Sequence, residues 1–224
     1  MIILKCVKCG SNRVAPIMYG MPFFDEELEQ ALKDEKIYLG GCCLSGADPK
    51  YHCFKCKKDF GTPPMLISRQ GQEDYRNIVT AIEFNVGGYF GDSRSVQFYK
   101  KGNKILLTVR WEPDKNSILS LPPAQLQTLV NENKVPAGIT YQRLMTAAEW
   151  EKLQNQLYCK LYIHEWKKNY TNDRMIDGEQ WSLRIKLTHG RQRRYHGSNA
   201  YPPYWKKLQA LLSPFFAEVG NTKL

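Results

Sequence analysis

The sequence predicts an α+β protein: a small cysteine-rich N-terminal module followed by an antiparallel-sheet domain with packed helices. Three observations lead there. Two Cys-x-x-Cys pairs fall within the first 60 residues. Downstream, segments of two-residue apolar alternation come in pairs joined by turn residues. Between them lie segments of helical period with start signals. Helices on one face of an antiparallel sheet let both elements bury their apolar sides.

The N-terminal module holds six of the seven cysteines. Cys6-Val7-Lys8-Cys9-Gly10 and Cys53-Phe54-Lys55-Cys56-Lys57 each place two thiols close enough to share one metal, and Gly10 permits the tight turn after the second sulfur. Four thiolates select Zn²⁺ over hard cations such as Mg²⁺ or Ca²⁺, and four protein ligands close the coordination sphere, which points to a structural cofactor. Iron in the same ligand set is the alternative. The expected metal ligands are therefore Cys6, Cys9, Cys53 and Cys56. Lys8, Lys55, Lys57 and Lys58 suit the negative charge of such a centre. Cys42 and Cys43 are expected as buried strand residues and Cys159 as a packing residue.

Within this module, Phe24–Lys36 reads as a helix begun by Asp25, Glu26 and Glu27. Ile37-Tyr38-Leu39 and Tyr51–Phe54 read as strands, with a Gly46-Ala47-Asp48-Pro49 turn between them. The module is thus a zinc ribbon with an inserted helix, spanning 1–62. A polar, proline-containing connector runs from Gly61 to Asp74, and the α+β domain spans 75–224.

That domain opens with a strand at Ile78–Val86. A hairpin turning at Gly102-Asn103 joins Val96–Tyr99 to Ile105–Trp111. Pro122-Pro123 starts a helix over Ala124–Asn131. Thr146 and Glu149 match a capping box ahead of Trp150, Leu153, Leu157 and Leu161. After Asp177-Gly178, Trp181, Leu183, Ile185 and Leu187 alternate with Ser182, Arg184, Lys186 and Thr188, a strand with one dry face and one wet basic face. His189-Gly190 turns the chain into Gln192–His196. A last helix runs from Tyr204 to Phe216, with Pro214 disturbing its final turn.

The runs Pro16-Ile17-Met18-Tyr19-Gly20, Lys36-Ile37-Tyr38-Leu39-Gly40-Gly41-Cys42, Gly46-Ala47-Asp48-Pro49 and Cys53-Phe54-Lys55-Cys56 resemble the N-terminal zinc ribbon of a group of small, uncharacterised bacterial proteins. Asp177-Gly178-Glu179-Gln180-Trp181-Ser182-Leu183-Arg184-Ile185 with Gly197-Ser198-Asn199-Ala200-Tyr201-Pro202 is similar to another uncharacterised bacterial domain. The first resemblance implies a metal site. Neither implies a reaction.

The formal net charge is +10. Residues 1–70 carry 10 Lys/Arg against 8 Asp/Glu, and 160–207 carry 11 against 4. Such an excess attracts nucleic acid or another polyanion, or serves solubility. The expected contact surface is Arg184, Lys186, Arg191, Arg193 and Arg194, with Tyr195 and His196 as stacking groups. The leading reading is a non-enzymatic protein that contacts DNA or RNA through this basic sheet face. The alternatives are a protein-interaction adaptor with an acidic protein partner, and a metal-dependent nuclease built on Asp92, Glu112, Asp114 and Asp177. No Gly-rich phosphate loop, His-Glu-x-x-His pair or nucleophile elbow is present. His164-Glu165, His189 and His196 are candidate acid–base groups, each also readable as structural. The 197–205 run offers aromatics to a ligand or caps the sheet. The absence of a long apolar run and of a signal-peptide layout predicts a cytoplasmic protein without a membrane span.

Overall fold

Asp25 opens the first helix by accepting the Leu28 amide at 2.9 Å, satisfying a donor that has no partner inside the helix. That helix, α1 (Glu26–Lys33), follows β1 (Val14–Met18) and precedes β2 (Tyr38–Leu39), β3 (Tyr51–Cys53) and β4 (Lys58–Phe60). The four strands form one sheet in the order β2-β1-β3-β4, with β1 and β2 parallel and the rest antiparallel. The computed structural model describes residues 4–68, 71–88, 92–112, 139–172, 174–175 and 178–220. The helix expected at 124–131 lies outside them, as do Asp114 and Asp177.

The expected connector is not featureless. Met65–Ser68 (β5) and Gly71–Asp74 (β6) form a two-stranded antiparallel pair, followed by the single helical turn α2 (Tyr75–Ile78). The prolines and the polar β6 concealed a strand pair that, among the described residues, joins no other sheet.

Seven strands make the larger sheet: β7 (Val79–Gly88), β8 (Ser93–Lys101), β9 (Lys104–Glu112), β10 (Ile139–Met145), β11 (Asn169–Thr171), β12 (Glu179–Leu187) and β13 (Gln192–Ser198). Their order is β10-β9-β8-β7-β12-β13-β11, antiparallel except where β11 meets β13. Among the described residues the further α-helices are α3 (Ala147–Asn155), continued by a π-helical turn at Gln156–Lys160, and α4 (Trp205–Gly220), which runs on past Pro214.

Alternation along each strand divides the sheet into two chemically different faces. On one, Val109, Val96, Phe84, Leu183 and Tyr195 form a ladder across β9, β8, β7, β12 and β13. Phe98 in the neighbouring ladder takes Trp150 of α3 and Phe215 of α4 against its ring. This is the dry face, and its side chains are buried. The other face is polar.

Two compact units emerge, each built from non-consecutive segments. The first comprises Met1–Ile78, Lys152–Lys167 and Pro202–Leu208. The second comprises Val79–Glu151, Lys168–Tyr201 and Gln209–Leu224. The continuous spans 1–62 and 75–224 are a different partition. The unit boundaries fall inside α3 and α4, where an unbroken helical period gives no sign of a division. Among the described residues, no helix is long and apolar enough to cross a membrane.

The expected capping box forms. Glu149 accepts the Thr146 amide at 2.8 Å, and the Thr146 hydroxyl accepts the Glu149 amide at 3.2 Å. Arg143 adds a charged hydrogen bond at 2.9 Å. That guanidinium first, and the Thr146 amide second, pull the Glu149 carboxyl down to about 2. A depressed carboxyl stabilises the fold above its unfolded pKa, and this contribution is lost as pH falls through the folded value. Glu149→Ala is expected to cost about 1 kcal/mol at neutral pH. The gap from the unsubstituted protein should close as pH falls from the ordinary glutamate range to about 2, measured by urea unfolding at a series of pH values.

Candidate metal centre and polar sheet face

The two Cys-x-x-Cys turns have the same backbone plan. Gly10 donates its amide to the Cys6 carbonyl at 2.8 Å, and Lys57 does the same to Cys53 at 2.8 Å. Each residue just past the second cysteine is left-handed, with φ of 74° at Gly10 and 55° at Lys57. Glycine takes this conformation without strain, whereas lysine does not.

β1, β3 and the turn before β4 bring the turns face to face, with Val14 opposite Cys53. Cys6, Cys9, Cys53 and Cys56 then place their sulfurs within 4.8 Å of one another. Cys6 and Cys56 are 3.7 Å apart, as are Cys9 and Cys53. Four sulfurs at about 2.3 Å from a tetrahedral metal would be about 3.8 Å apart, so the donor set fits one thiophilic ion. Among the described residues no other group of three or more His, Cys, Asp or Glu converges in this way. All four sequence-predicted ligands are brought together.

Electrostatics explains why the site needs a cation. Burial pushes the Cys6 thiol up to about 12 despite amide donors at Lys8 and Cys9. Burial also raises Cys56. At Cys53 burial opposes the thiolate, but the amides of Cys56 and Lys55 outweigh it and bring the pKa below its ordinary value. Four clustered thiols cannot all ionise without a positive centre, which a bound metal supplies.

Further contacts tie the first turn into its unit. Lys8 donates its ammonium to the Glu165 carbonyl at 2.7 Å. The Glu165 carboxylate accepts the amides of Gly61 and Thr62, each at 2.8 Å, and the Thr62 hydroxyl at 2.9 Å. The His164 ring lies 3.2 Å from the Thr62 carbonyl. The Tyr204 hydroxyl takes the Lys5 amide at 3.1 Å and gives its proton to the Lys5 carbonyl at 2.7 Å. His164 and Glu165 are thus engaged in holding chain segments together. His52 pairs with Asp59 at 2.6 Å and stacks on Tyr38; it is not part of the sulfur cluster. Cys42 and Cys43 depart from expectation: both are exposed beyond β2, with sulfurs 3.7 Å apart. A two-residue β2 ends before it can bury them.

In the second unit the five basic residues do not share one surface. Arg184, Lys186 and Arg194 lie on the polar face, since Arg184 opposes Arg194 across β12 and β13. Arg193 opposes Ile185 and belongs to the dry-face parity. Arg191 precedes β13, and its Nε is buried. Arg184 and Lys186 are both committed to Glu83, at 3.2 and 2.6 Å. Grouping consecutive arginines overlooked the alternation of β13, which separates 193 from 194. The tyrosine named for stacking is also displaced, because Tyr195 is buried on the dry face.

The polar face has members the sequence reading did not name. Thr140, Arg110, Ser95, Asn85, Ser182 and His196 form one ladder across six strands. Gln142, Thr108, Gln97, Glu83, Arg184 and Arg194 form the next. Among the described residues Arg110 and Arg194 make no ion pair. Tyr99 stands on the same face, 52% exposed. Short side chains along the first ladder and beyond it leave a cleft of about 710 Å³. Polar parity in β7, β8, β9, β12 and β13 was the available signal; the register that joins Asn85 to Ser182 was not.

The remaining candidates resolve separately. Asp92 accepts the Trp111 indole at 3.0 Å, and Glu112 lines the cleft. His189 occupies the left-handed turn between β12 and β13, with φ of 58°. In the 197–205 run Tyr204 and Trp205 are buried, and Trp181 donates its indole to the Ala200 carbonyl at 2.9 Å. The position of a β-carbon on Gly197 would lie 2.3 Å from that indole nitrogen, so this close approach requires glycine.

No family model, curated protein or solved structure matches this chain.

Lys57→Gly is expected to stabilise the metal-loaded protein by up to about 1 kcal/mol by relieving the left-handed lysine, seen as a higher melting temperature. Removing the metal with a chelator should abolish hydrogen-exchange protection in 152–167 and 202–208 together with the cysteine turns, because those segments belong to the same unit. Protection lost in the turns alone would contradict that coupling.

Proposed function

We propose that the four cysteines hold one structural Zn²⁺ and that the protein binds single-stranded nucleic acid across the polar face of its seven-stranded sheet. The likeness of residues 1–60 to bacterial zinc ribbons belongs to this proposal. So does a role without catalysis, since a closed four-sulfur sphere leaves no position for a substrate.

The single observation that carries the nucleic-acid reading is the exposed polar face, with Arg110 and Arg194 outside any ion pair among the described residues. Unpaired guanidinium groups bind phosphate without first breaking an internal contact. Tyr99 supplies an exposed ring for base stacking. The surface is a sheet and not a projecting helix, which suits a splayed single strand better than a major groove. Arg184 and Lys186, held by Glu83, contribute less than their charges suggest.

A second reading, a protein-interaction adaptor, has its own observation. Met21 and Phe23 in the first unit are 92% and 85% exposed, beside the acidic first turn of α1. Such a surface fits an apolar, basic partner better than the acidic one expected from net charge.

The reading is tested by fluorescence anisotropy with single-stranded oligonucleotides over a salt series. Metal analysis should find one Zn²⁺ per chain, lost in Cys53→Ser. Affinity should fall linearly on a log–log salt plot. Arg110→Ala with Arg194→Ala should reduce the slope by about 1.4 if both contact phosphate, at about 0.7 per contact. No binding at low salt, or an unchanged slope, would remove the sheet face from the argument.

A further inference from the structure

The cleft in the polar face has a composition more specific than its charge. We infer that it accepts the ribose–phosphate backbone of an RNA strand and distinguishes ribose from deoxyribose. This inference rests on the nucleic-acid reading above and assigns the sugar to it.

The cleft exists because its floor is short. Asn85, Ser95 and Ser182 lie side by side on adjacent strands, with Asn85 donating to the Ser182 hydroxyl at 3.3 Å. Arg110 and Glu112 stand at one side and His196 at the other. Adjacent strands are about 4.8 Å apart, so the floor offers hydroxyl and amide groups at regular intervals, each able to donate and accept.

The lining chemistry selects among the parts of a nucleotide. Trp181 borders the cleft but is only 3% exposed, with its indole proton already given to Ala200. Among the described lining residues the exposed ring is His196, at one edge, so a base can stack only beside the floor and not over it. A second exposed ring on this face, Tyr99, lies outside the lining. Hydroxyls, an amide, a guanidinium and a carboxylate instead match a sugar bearing both a hydroxyl and a phosphate. Arg110 and Glu112 are alternate residues of β9 on the same face, about 7 Å apart along the strand. The guanidinium takes the phosphate. The carboxylate, which only accepts, receives a hydrogen bond from a sugar hydroxyl. It also disfavours a second phosphate at its own position, which orients the backbone. Deoxyribose would leave that acceptor facing carbon, and the 2′-hydroxyl is the group by which proteins separate RNA from DNA.

The experiment compares oligo-uridine with oligo-deoxyuridine of equal length, so that the base is held constant. The unsubstituted, zinc-loaded protein should bind the ribose strand roughly fivefold tighter for each hydrogen bond to the 2′-hydroxyl. Asn85→Leu and Glu112→Gln should each lower that ratio toward one while changing deoxyuridine binding less, which also shows that the variants are folded. Equal affinity for the two strands in the unsubstituted protein would overturn the ribose assignment and leave nucleic-acid binding standing. A ratio unchanged in both variants would place ribose recognition outside the cleft and overturn the inference. No binding of either strand would overturn the nucleic-acid reading and this inference with it.

Discussion

Four sulfurs within 4.8 Å of one another are the constraint on which the first unit depends. They join residues far apart in the chain and impose a common centre on two turns, a four-stranded sheet and the segments held by Glu165 and Tyr204. Little else in residues 4–60 would do so: β2 has two residues, β3 and β4 three each, and α1 eight. Elements this short bury little apolar area, and small modules commonly require a metal or cross-link. Buried Cys6, Val7 and Cys53 anchor one side of the centre in the unit, while Cys9 is exposed and Cys56 half-buried.

The second unit is organised by parity. Each long strand sends alternate residues to a dry face covered by Trp150 and Phe215 and to a polar face. This explains why its basic residues behave differently from one another. A cation on the polar face can be neutralised by a cross-strand carboxylate, as Glu83 does for Arg184 and Lys186, or stand outside any ion pair among the described residues, as at Arg110 and Arg194. Net charge states how many cations exist; register decides which remain available. Sheet geometry thus connects strand pairing to the proposed binding chemistry.

Local features were legible in the sequence, and long-range ones were not. The cysteine spacing, the Thr146–Glu149 capping box and the alternation from Trp181 to Leu187 each declare themselves within a few residues, and each is found. In the β5–β6 pair the apolar run Met65-Leu66-Ile67 was only three residues long and its partner β6 is polar, and β4 was too short to show a pattern. The arginine patch failed for a definite reason: residues adjacent in sequence were assigned to one surface, although a strand separates them by a half-turn. The cleft could not be foreseen, because Asn85 and Ser182 meet across 97 positions of chain.

The hydrogen bonds between Lys5 and Tyr204 span 199 positions. During synthesis the cysteine turns therefore emerge long before the segment that completes their unit. Closing so long a loop is entropically costly and tends to be slow. A nascent chain could load metal early yet present an unfinished surface beside it until residues 202–208 had been made. For the same reason a fragment cut after residue 62 would not be a self-sufficient ribbon: it would keep every ligand and lack two of the three segments that surround them. Assembly of the cysteine pairs and completion of the unit are thus separable events in time, with an interval between them in which the surface that residues 202–208 cover stays open.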